Sequence, residues 1–473
     1  MSQVAGLTEE EYKNFIAYIA GFYGNASNYH NFGGMKFIPD LAPEKFWAII
    51  QSHPKANEEG SLMQWTLANV TEAVQREVYA YEAPYTQINF PEQGGITAYF
   101  SRNMTNDDLV LVKEFLLTPE AAAAQLDMLN TRVFKESDTT YILTVGSISE
   151  EGSCEMPFRD KTFKVRKGEF SQYLQEMNFY LEKALQYAAN DNQREMIQKY
   201  IESYQTGSIP AHKDSQRAWV RDKGPVVESN NGWIETYIDP ENARAYYEGW
   251  VAIVDKEKSR KFQQLVVNSE SIIPQLPWPR EMEKETFLAP DFTTLDIICF
   301  ATNGCPLGIN IPNYDDIRDN EGFKNVFLNN SLGSYTMNSV QFATEEQTAT
   351  LTEYTIRSYE VHVACHELLG HGVGRLIYRN EDGSAPTFTD PITGESYESC
   401  YEAGETWNGK FGAFSTSYEE CRADTCGFYL CQLPEVYTLF GWEESEIDIM
   451  LWTSVMNQFR KGVLGLQLFN AEA

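Results

Sequence analysis

The hexapeptide His366-Glu367-Leu368-Leu369-Gly370-His371 is the feature that most constrains the fold of this chain. It is close to the H-E-x-x-H signature of zinc hydrolases but has one extra residue between the histidines. On a regular α-helix, residues four apart share a face, whereas residues five apart diverge by about 140°. Both imidazoles can reach one metal ion only if the helix absorbs the extra residue, and a single-turn π-bulge does so. We therefore predict a π-bulge here, with Gly370 as the residue best able to tolerate it.

The segment Glu419–Asp424 supplies candidate partners for the two histidines. A catalytic zinc ion usually takes three protein ligands and leaves one position for water. His366 and His371 provide two of them. Glu420 and Asp424 are four residues apart, so a helix places both on one face, and one could bind the metal while the other orients a histidine ring. The spacing leaves open which of the two acids is the ligand.

Glu367 is the candidate general base, because it directly follows the first histidine of the hexapeptide. A carboxylate at this position can take a proton from a water molecule whose pKa a metal lowers to about 7, and pass it to the leaving amine. The alternative interpretation is a pair of satisfied histidines on a core helix. Cys365, Cys421 and Cys426 are rival ligands, although thiolate-rich sites are more often structural and closed. His362, one helical turn earlier, is interpreted as a helix-surface residue or as a support for a ligand.

Charge and composition exclude several classes of protein. The 473 residues include 68 acidic and 37 basic ones, a net charge of −31, whereas nucleic-acid binding needs basic patches. None of the eight cysteines forms a C-x-x-C pair, which is typical of a cytosolic protein with free thiols. Residues 1–7 lack the pattern of a signal peptide, and no stretch approaches 18 consecutive apolar residues. We expect a cytoplasmic monomer with no nucleic-acid or membrane partner.

Local patterns predict three early helices. Thr8 and Glu11 form a capping box for the first helix, which Gly24 can end. Thr118-Pro119 opens a second helix, with proline in its first turn. A third helix is predicted from about residue 171 to 189, where apolar residues recur on one side.

Strand-like runs alternate with these helices. Their shared feature is enrichment in β-branched and aromatic residues, and they comprise Tyr141–Val145, Phe163–Val165, Trp233–Tyr237 and Trp250–Val254. From residue 358 onward the pattern is mostly helical, apart from a loop at about 380–396. The sequence therefore predicts a mixed α/β lobe followed by a helical lobe that carries the chemistry.

Together, the two motifs resemble those of the dipeptidyl peptidase III family. These zinc metallopeptidases carry an H-E-x-x-G-H hexapeptide followed by E-E-x-[RK]-A-[ED], which correspond here to His366–His371 and Glu419–Asp424. The resemblance covers essentially the whole chain. Outside the motifs it is carried by Leu7–Tyr12, Asp222–Pro225, Gly308–Asp316 and Gly404–Trp407.

The resemblance implies an α+β fold of two lobes separated by a wide cleft that closes on a peptide. The mixed lobe, which contains a β-barrel, would comprise residues 1–255 and 294–335. The mainly helical, zinc-binding lobe would comprise residues 256–293 and 336–473. Relative to the family pattern, the sequence lacks N- and C-terminal segments, so we expect the helical lobe to be incomplete at its C-terminal end.

The resemblance also implies the metal ligands. His366, His371 and Glu420 would bind one Zn²⁺ ion per chain, with Glu367 as the general base. The neighbouring acids Glu419 and Asp424 would be hydrogen-bond partners of the histidines.

A further set of residues would hold the substrate. Glu235, with Asn310 and Asn313, matches the family's anchor for the free α-ammonium of a peptide, which is a charge-assisted contact. Tyr237 matches a tyrosine that donates to the scissile carbonyl. An enzyme with such an anchor cleaves its substrate at a fixed number of residues from the N-terminus.

Other implied substrate contacts follow the peptide backbone. Gly304, Pro306 and Ile309 match a strand segment that pairs with an extended peptide. Glu248 and Arg318 match positions in the substrate subsites. The partners expected for this chain are therefore short oligopeptides.

The predicted function is that of a zinc-dependent exopeptidase, a hydrolase that releases dipeptides from the N-terminus of short oligopeptides. Two alternatives stay open. The chain could be a catalytically impaired protein that binds zinc and peptides, or an aminopeptidase that releases single residues. Turnover separates the first alternative from the predicted enzyme, and product length separates the second.

Overall fold

A computed structural model describes residues 6–31, 33–52, 72–333, 340, 342–390 and 392–466 of the chain. Helices and strands alternate over the first three quarters, and helices dominate the remainder. The helices are α1 (Glu9–Asn25), α2 (Pro43–Gln51), α3 (Glu72–Tyr79), α4 (Asn106–Leu116), α5 (Pro119–Ala123), α6 (Ser171–Leu185), α7 (Asp191–Thr206), α8 (Ile209–Arg221), α9 (Lys256–Ile272), α10 (Asp315–Asn320), α11 (Asn329–Gly333), α12 (Glu345–Cys365), α13 (Trp407–Phe411), α14 (Ser415–Leu430), α15 (Pro434–Leu439) and α16 (Glu444–Gly465).

The strands form two larger sheets and a hairpin. They are β1 (Thr131–Ser137), β2 (Thr140–Gly146), β3 (Cys154–Phe158), β4 (Lys161–Glu169), β5 (Val227–Glu235), β6 (Tyr246–Val254), β7 (Asp291–Ala301), β8 (Gly308–Ile311), β9 (Lys324–Leu328), β10 (Thr387–Thr389) and β11 (Ser396–Glu398). The first sheet has the order β1-β2-β4-β3 and the second β5-β6-β7-β9-β8, while β10 and β11 pair alone. Strands β2 and β4 are parallel, as are β7 and β9. The fold is therefore α+β, as predicted, and it includes a half-barrel sheet.

Contact density divides the chain into two compact units. The first unit comprises residues 1–169, 235–247 and 302–305, and the second comprises residues 170–234, 248–301 and 306–473. The lobe bounds given by the sequence remain a prediction. Among the residues that the structure describes, no helix combines the length and the apolar composition needed to cross a bilayer.

A stack of buried aromatic rings fixes α4 on the four-stranded sheet of the first unit. The ring of Phe115 lies 3.9 Å from that of Phe163, with an angle of 5° between the planes. Tyr141 of β2 lies 5.2 Å from Phe163 on the same sheet. Such pairs contribute about 0.5–1.5 kcal/mol each beyond their buried area.

The core of the second unit anchors the segment that carries the histidines. Phe262 of α9 packs on Phe292 and Phe327, at centroid distances of 4.7 and 4.9 Å, and so joins the helix to the five-stranded sheet. Leu368 and Leu369 of the hexapeptide are fully buried in the same apolar cluster. Burial of two leucines contributes roughly 1.5–3 kcal/mol each, which holds the hexapeptide backbone in place.

The local predictions hold with shifted boundaries. The capping box of Thr8 and the N-cap of Thr118 are both present. The first helix does not end at Gly24 but continues through Asn25 to a left-handed cap at Ala26, whose N–H bonds to the Tyr23 carbonyl. The third predicted helix stops at Leu185 rather than near residue 189. The predicted loop at 380–396 contains most of the hairpin of β10 and β11.

Candidate metal centre

Helix α12 runs directly into a π-helical turn at His366–Gly370. The N–H of His371 donates to the carbonyl of His366, five residues earlier, at 3.0 Å. The extra residue is absorbed as the sequence predicted, and the two imidazole rings lie 4.8 Å apart at an angle of 86°. Two histidines that a regular helix would separate are thereby brought together.

Two glycines allow the π-turn to pack closely on α14. A Cβ atom on Gly370 would lie 2.5 Å from the carbonyl oxygen of Ala423, and one on Gly427 would lie 2.7 Å from the backbone nitrogen of His366. Both separations are shorter than real Cβ contacts. The close approach brings the carboxylates of α14 within reach of the histidines.

His366, His371 and Glu420 form a group whose potential ligand atoms all lie within 4.8 Å of one another. Glu420 Oε2 is 3.5 Å from His366 Nε2, and Glu420 Oε1 is 3.9 Å from His371 Nε2. A tetrahedral zinc ion with bonds of about 2.0–2.2 Å sets its ligand atoms roughly 3.4 Å apart. The two Glu420 distances are close to that spacing and no separation in the group exceeds 4.8 Å, so these residues fit a zinc ion that draws them together.

Glu419 holds the other nitrogen of one histidine ring. Its Oε1 lies 2.9 Å from His371 Nδ1, and Arg422 donates to both oxygens of the same carboxylate at 2.9 and 2.6 Å. A carboxylate only accepts, so Nδ1 carries the proton and Nε2 is left for a metal. Burial alone would raise the pKa of Glu419, but the bonds from His371 and Arg422 lower it to about 2.

Asp424 is the corresponding partner of the other histidine. Its Oδ1 is 3.6 Å from His366 Nδ1 and 3.0 Å from His362 Nε2. Gln458 of α16 donates to Asp424 Oδ2 at 2.7 Å, and Lys461 Nζ is 3.9 Å from Oδ1. His362 is buried, so its interpretation as a helix-surface residue is wrong, and its position fits a support for the site.

The charge of the surrounding carboxylates favours a cation. Burial alone would lower the pKa of His366, but Asp424, Glu420 and Glu367 raise it to about 10. The site thus stabilises positive charge beside His366. A metal binds the neutral imidazole, so metal binding would release the proton that gives the His366 ring its positive charge.

The sulfur ligands considered from the sequence do not join this group within the described residues. Burial raises the pKa of the Cys365 thiol well above its usual value, and it also raises that of Cys426. Cys421 is exposed. Buried thiols with raised pKa values are inert, so histidine and carboxylate remain the better donors.

Glu367 is buried beside strand β8. A Cβ atom on Gly308 would lie 2.6 Å from Glu367 Oε1, so only glycine leaves room for the carboxylate. The Nδ2 atom of Asn310, two residues along the strand, donates to the Glu367 carbonyl at 2.9 Å. Arg318 of α10 donates to the His371 carbonyl at 3.3 Å.

Three predicted substrate residues belong to the first unit. Glu235 ends β5, but Tyr237 lies in the following turn, so the predicted strand Trp233–Tyr237 is two residues too long. The N–H of Asp239 closes this turn by donating to the Thr236 carbonyl at 3.0 Å, and the Asp239 carboxylate accepts the backbone N–H groups of residues 241, 243 and 244 that follow. Gly304 has a φ of 82°, and its N–H donates to the Gly24 carbonyl at 2.7 Å, so it lies in a bend rather than in a strand.

Other predicted substrate residues lie in the second unit. Ile309 is buried within β8, whereas Pro306 precedes that strand. Glu248 is buried on β6. Asn313 donates to the Ile234 carbonyl at 3.4 Å. The predicted strand therefore covers Ile309 but neither Gly304 nor Pro306.

Three residues of the centre were not singled out from the sequence, although two of them have a local signal. Arg422 stands in the acidic motif three residues after Glu419, a spacing that predicts their ion pair on a helix. Gln458 has no local signal, because its contact depends on how α16 packs. Gly427 could have been suspected as a glycine inside a helix.

Two histidines and a glutamate on packed helical segments, with a second glutamate beside them, define a site of the metallopeptidase class. Residues 70–473 match the peptidase family M49. The chain belongs to this family, whose members are metallopeptidases, and the resemblance found in the sequence is confirmed.

Proteins similar in sequence to this chain occur in distant organisms. The chain is 40% identical to dipeptidyl peptidase 3 of Homo sapiens over 99% of this chain and 65% of that protein. Identity to the proteins of that name is 41% for Nematostella vectensis and 35% for Dictyostelium discoideum, each over 98% of this chain and 66% of the relative. The chain thus spans 65–66% of the length of these curated relatives.

Solved structures share the fold. The structure of DPP III from Caldithrix abyssi is similar with a TM-score of 0.54 at 16% identity, over 95% of this chain and 75% of that chain. The structure of dipeptidyl-peptidase III from Corallococcus sp. strain EGB gives a TM-score of 0.55 at 14% identity, over 96% and 74%. At these identities the likeness concerns the fold alone.

Proposed function

We propose that this chain is a zinc-dependent exopeptidase that releases dipeptides from the N-terminus of short oligopeptides. The observation that carries the proposal is the group of His366, His371 and Glu420 with Glu367 directly beside it. Membership of peptidase family M49 supports it. The predicted cytoplasmic location and monomeric state stay predictions.

The residues of the centre divide into donors and supports. His366, His371 and Glu420 would hold one zinc ion, whose chemistry is to lower the pKa of water and polarise a carbonyl. Glu419 and Asp424 orient the two imidazoles through their Nδ1 atoms.

Glu367 would act as the general base. It would take a proton from the attacking water and pass it to the leaving amine. Its burial removes competing bulk water, and the close approach of the Gly308 backbone limits the space in which its carboxylate can lie. A base that is held in this way loses little orientational freedom when the substrate arrives.

The register of cleavage would come from an anchor for the α-ammonium. Glu235 with Asn310 and Asn313 would bind that group, and Tyr237 would donate to the scissile carbonyl. Gly304, Pro306 and Ile309 would follow the peptide backbone, with further contacts from Glu248 and Arg318. The edge position of β8 in its sheet supports pairing with an extended peptide, since an edge strand has free backbone groups.

The proposal includes the architecture implied by the family. The mixed lobe (residues 1–255 and 294–335) would contain a β-barrel, and the helical lobe (256–293 and 336–473) would carry the metal, with a cleft between them. Such a cleft would close on a peptide and exclude water from the reaction.

One experiment tests the function. The 473-residue chain is supplied with Zn²⁺, incubated with a pentapeptide, and the products are identified by mass. We expect an N-terminal dipeptide that disappears with a chelator and in Glu367→Gln. Glu353→Gln, an exposed acid on α12, is the matched control and should leave cleavage unchanged.

Other products would point elsewhere. Release of single residues would favour an aminopeptidase. An intact peptide with one zinc ion bound would favour the impaired peptide-binding protein. Unchanged cleavage in Glu367→Gln would refute the assigned base.

A further inference from the structure

Two side chains outside the metal group reach both ends of the π-turn. Asn310 Nδ2 donates to the Glu367 carbonyl at 2.9 Å, and Arg318 Nη2 donates to the His371 carbonyl at 3.3 Å. Arg318 Nη1 also donates to Asn310 Oδ1, so the two side chains form one hydrogen-bonded unit. We call this pair the β8 clamp, because Asn310 stands on β8 and Arg318 on the helix α10 that follows it.

The orientation of the Asn310 amide is fixed by its neighbours. A guanidinium only donates, so the atom facing Arg318 must be Oδ1, and a carbonyl only accepts, so the atom facing Glu367 must be the NH₂ group. The second N–H of that group is directed to Asn325 Oδ1. Asn310 is 8% exposed, so these contacts lie in a buried environment, where breaking them is costly.

The clamp acts on backbone that departs from regular helix. In a π-turn the positions of the side chains depend on a local shift of the hydrogen-bonding pattern, and external bonds to the carbonyls stabilise that shift. The carbonyls held by the clamp belong to Glu367 and His371, the proposed base and a proposed ligand. A Cβ atom on Gly308, on the same strand, would lie 2.6 Å from Glu367 Oε1, so β8 lies against the carboxylate of this residue as well as its carbonyl.

We propose that Asn310 and Arg318 are positioning residues that set the geometry of Glu367 and His371 by holding the π-turn. This role is separate from the peptide contacts proposed above for the same two residues. It rests on the proposed function only in assuming that the π-turn carries a metal ligand and the base.

The test compares metal affinity with kinetics. Co²⁺ affinity is measured by competition with a chelator, and kcat and KM are measured with the zinc-loaded chain and a pentapeptide. Asn310→Ala and Arg318→Met should each weaken Co²⁺ affinity by about 10–100-fold and lower kcat, whereas loss of the proposed peptide contacts alone would raise KM and leave Co²⁺ affinity unchanged. Arg318→Lys keeps a donor and should recover part of the affinity.

Asn320→Ala is the matched control. Asn320 is exposed on α10, and its side chain donates only to the Asp316 carbonyl among the bonds formed with described residues, so affinity and kinetics should stay at wild-type values. If Asn310→Ala does not fold, as judged by circular dichroism, the test relies on the two variants Arg318→Met and Arg318→Lys. Unchanged Co²⁺ affinity in the clamp variants would overturn the proposal, and a raised KM in the same variants would then assign the two residues to peptide binding alone.

Failure of the proposed function has a different signature. A wild-type chain that binds no metal would refute both ideas. A wild-type chain that binds Co²⁺ but cleaves no peptide would refute the function alone, since the affinity series still measures the clamp.

Discussion

His371 Nδ1 lies 2.9 Å from the Glu419 carboxylate, which Arg422 holds through both oxygens. This contact fixes the proton on Nδ1 and directs Nε2 toward Glu420. The ring is thus oriented with Nε2 available to a metal. Orientation of this kind lowers the entropy lost when a ligand binds.

Replacing Glu419 tests this arrangement. Glu419→Gln keeps an acceptor for His371 but removes the charge, so the ring becomes less basic and Arg422 loses its partner. We expect zinc affinity to fall by about 10-fold, measured by competition with a chelator. The exposed Glu353→Gln on α12 is the control, and equal affinities in the two variants would contradict the prediction.

Gly427→Ala tests the close packing of α14 on the π-turn. The new methyl group would lie 2.7 Å from the backbone nitrogen of His366, and neither backbone can move without disturbing the metal group. We expect a loss of about 1–3 kcal/mol in the free energy of unfolding, measured with urea.

Gly462→Ala is the control for this substitution. Gly462 is exposed on α16, and a Cβ atom there would meet no described atom within 4 Å. Alanine should stabilise the helix by up to about 1 kcal/mol. Equal effects of the two substitutions would show that the contact with His366 is not tight.

The features of the site that the sequence predicted are local ones. The π-turn follows from the five-residue spacing of two histidines, and the shared face of Glu420 and Asp424 follows from helix periodicity. Both depend only on residues close in the chain. The capping boxes and N-caps are predictable for the same reason.

The parts that the sequence missed depend on tertiary contacts. Asn310 reaches the Glu367 carbonyl across 57 residues of chain, and Gln458 reaches Asp424 across 34. Tyr237 lies outside its predicted strand because a turn, closed by the bond from the Asp239 N–H to the Thr236 carbonyl, spans it, and the Asp239 carboxylate binds the next backbone N–H groups. The periodicity of apolar residues does not reveal that turn hydrogen bonds replace strand pairing here, because it contains no information on hydrogen-bond partners.

Stability should depend on pH through His212. This histidine is buried, with Nδ1 2.8 Å from the Tyr314 hydroxyl and Nε2 3.1 Å from the Asn231 carbonyl. The carbonyl only accepts, so the neutral ring carries its proton on Nε2. Burial lowers the pKa of His212 to about 4, from about 6.5 when unfolded.

The lowered pKa of His212 means that the stability of the fold decreases as the pH falls. Between pH 6.5 and 4 the unfolded chain binds the proton and the folded chain does not, so acid favours unfolding. From pH 7.5 to 5 the His212 contribution should fall by about 2 kcal/mol. His212→Gln, which keeps a donor and an acceptor, should lose that much less stability over the same interval in urea unfolding. An identical pH dependence of the two chains would contradict the prediction.

The buried pair of Lys324 and Glu228 gives the last prediction. Lys324 Nζ lies 2.8 Å from Glu228 Oε2 and also donates to the Asp222 carbonyl, while Trp219 Nε1 donates to Glu228 Oε1 at 2.7 Å. Both charged side chains are almost completely buried. Lys324→Met leaves a buried carboxylate without its cation and should cost about 3–5 kcal/mol.

The double variant Lys324→Met/Glu228→Gln should cost less than the sum of the two single variants, because neither member of the pair keeps a charge without its partner, while Asp291, whose Oδ2 lies 3.7 Å from Lys324 Nζ, is unchanged in all four chains. The control is the pair of Lys213 and Asp316, 2.9 Å apart but 31% and 49% exposed, for which Lys213→Met should cost less than about 1 kcal/mol. Urea unfolding at pH 7 measures all four chains and the control. Additive losses at Lys324 and Glu228 would show that the two charges are not coupled, because an uncompensated buried carboxylate must respond to the loss of its partner.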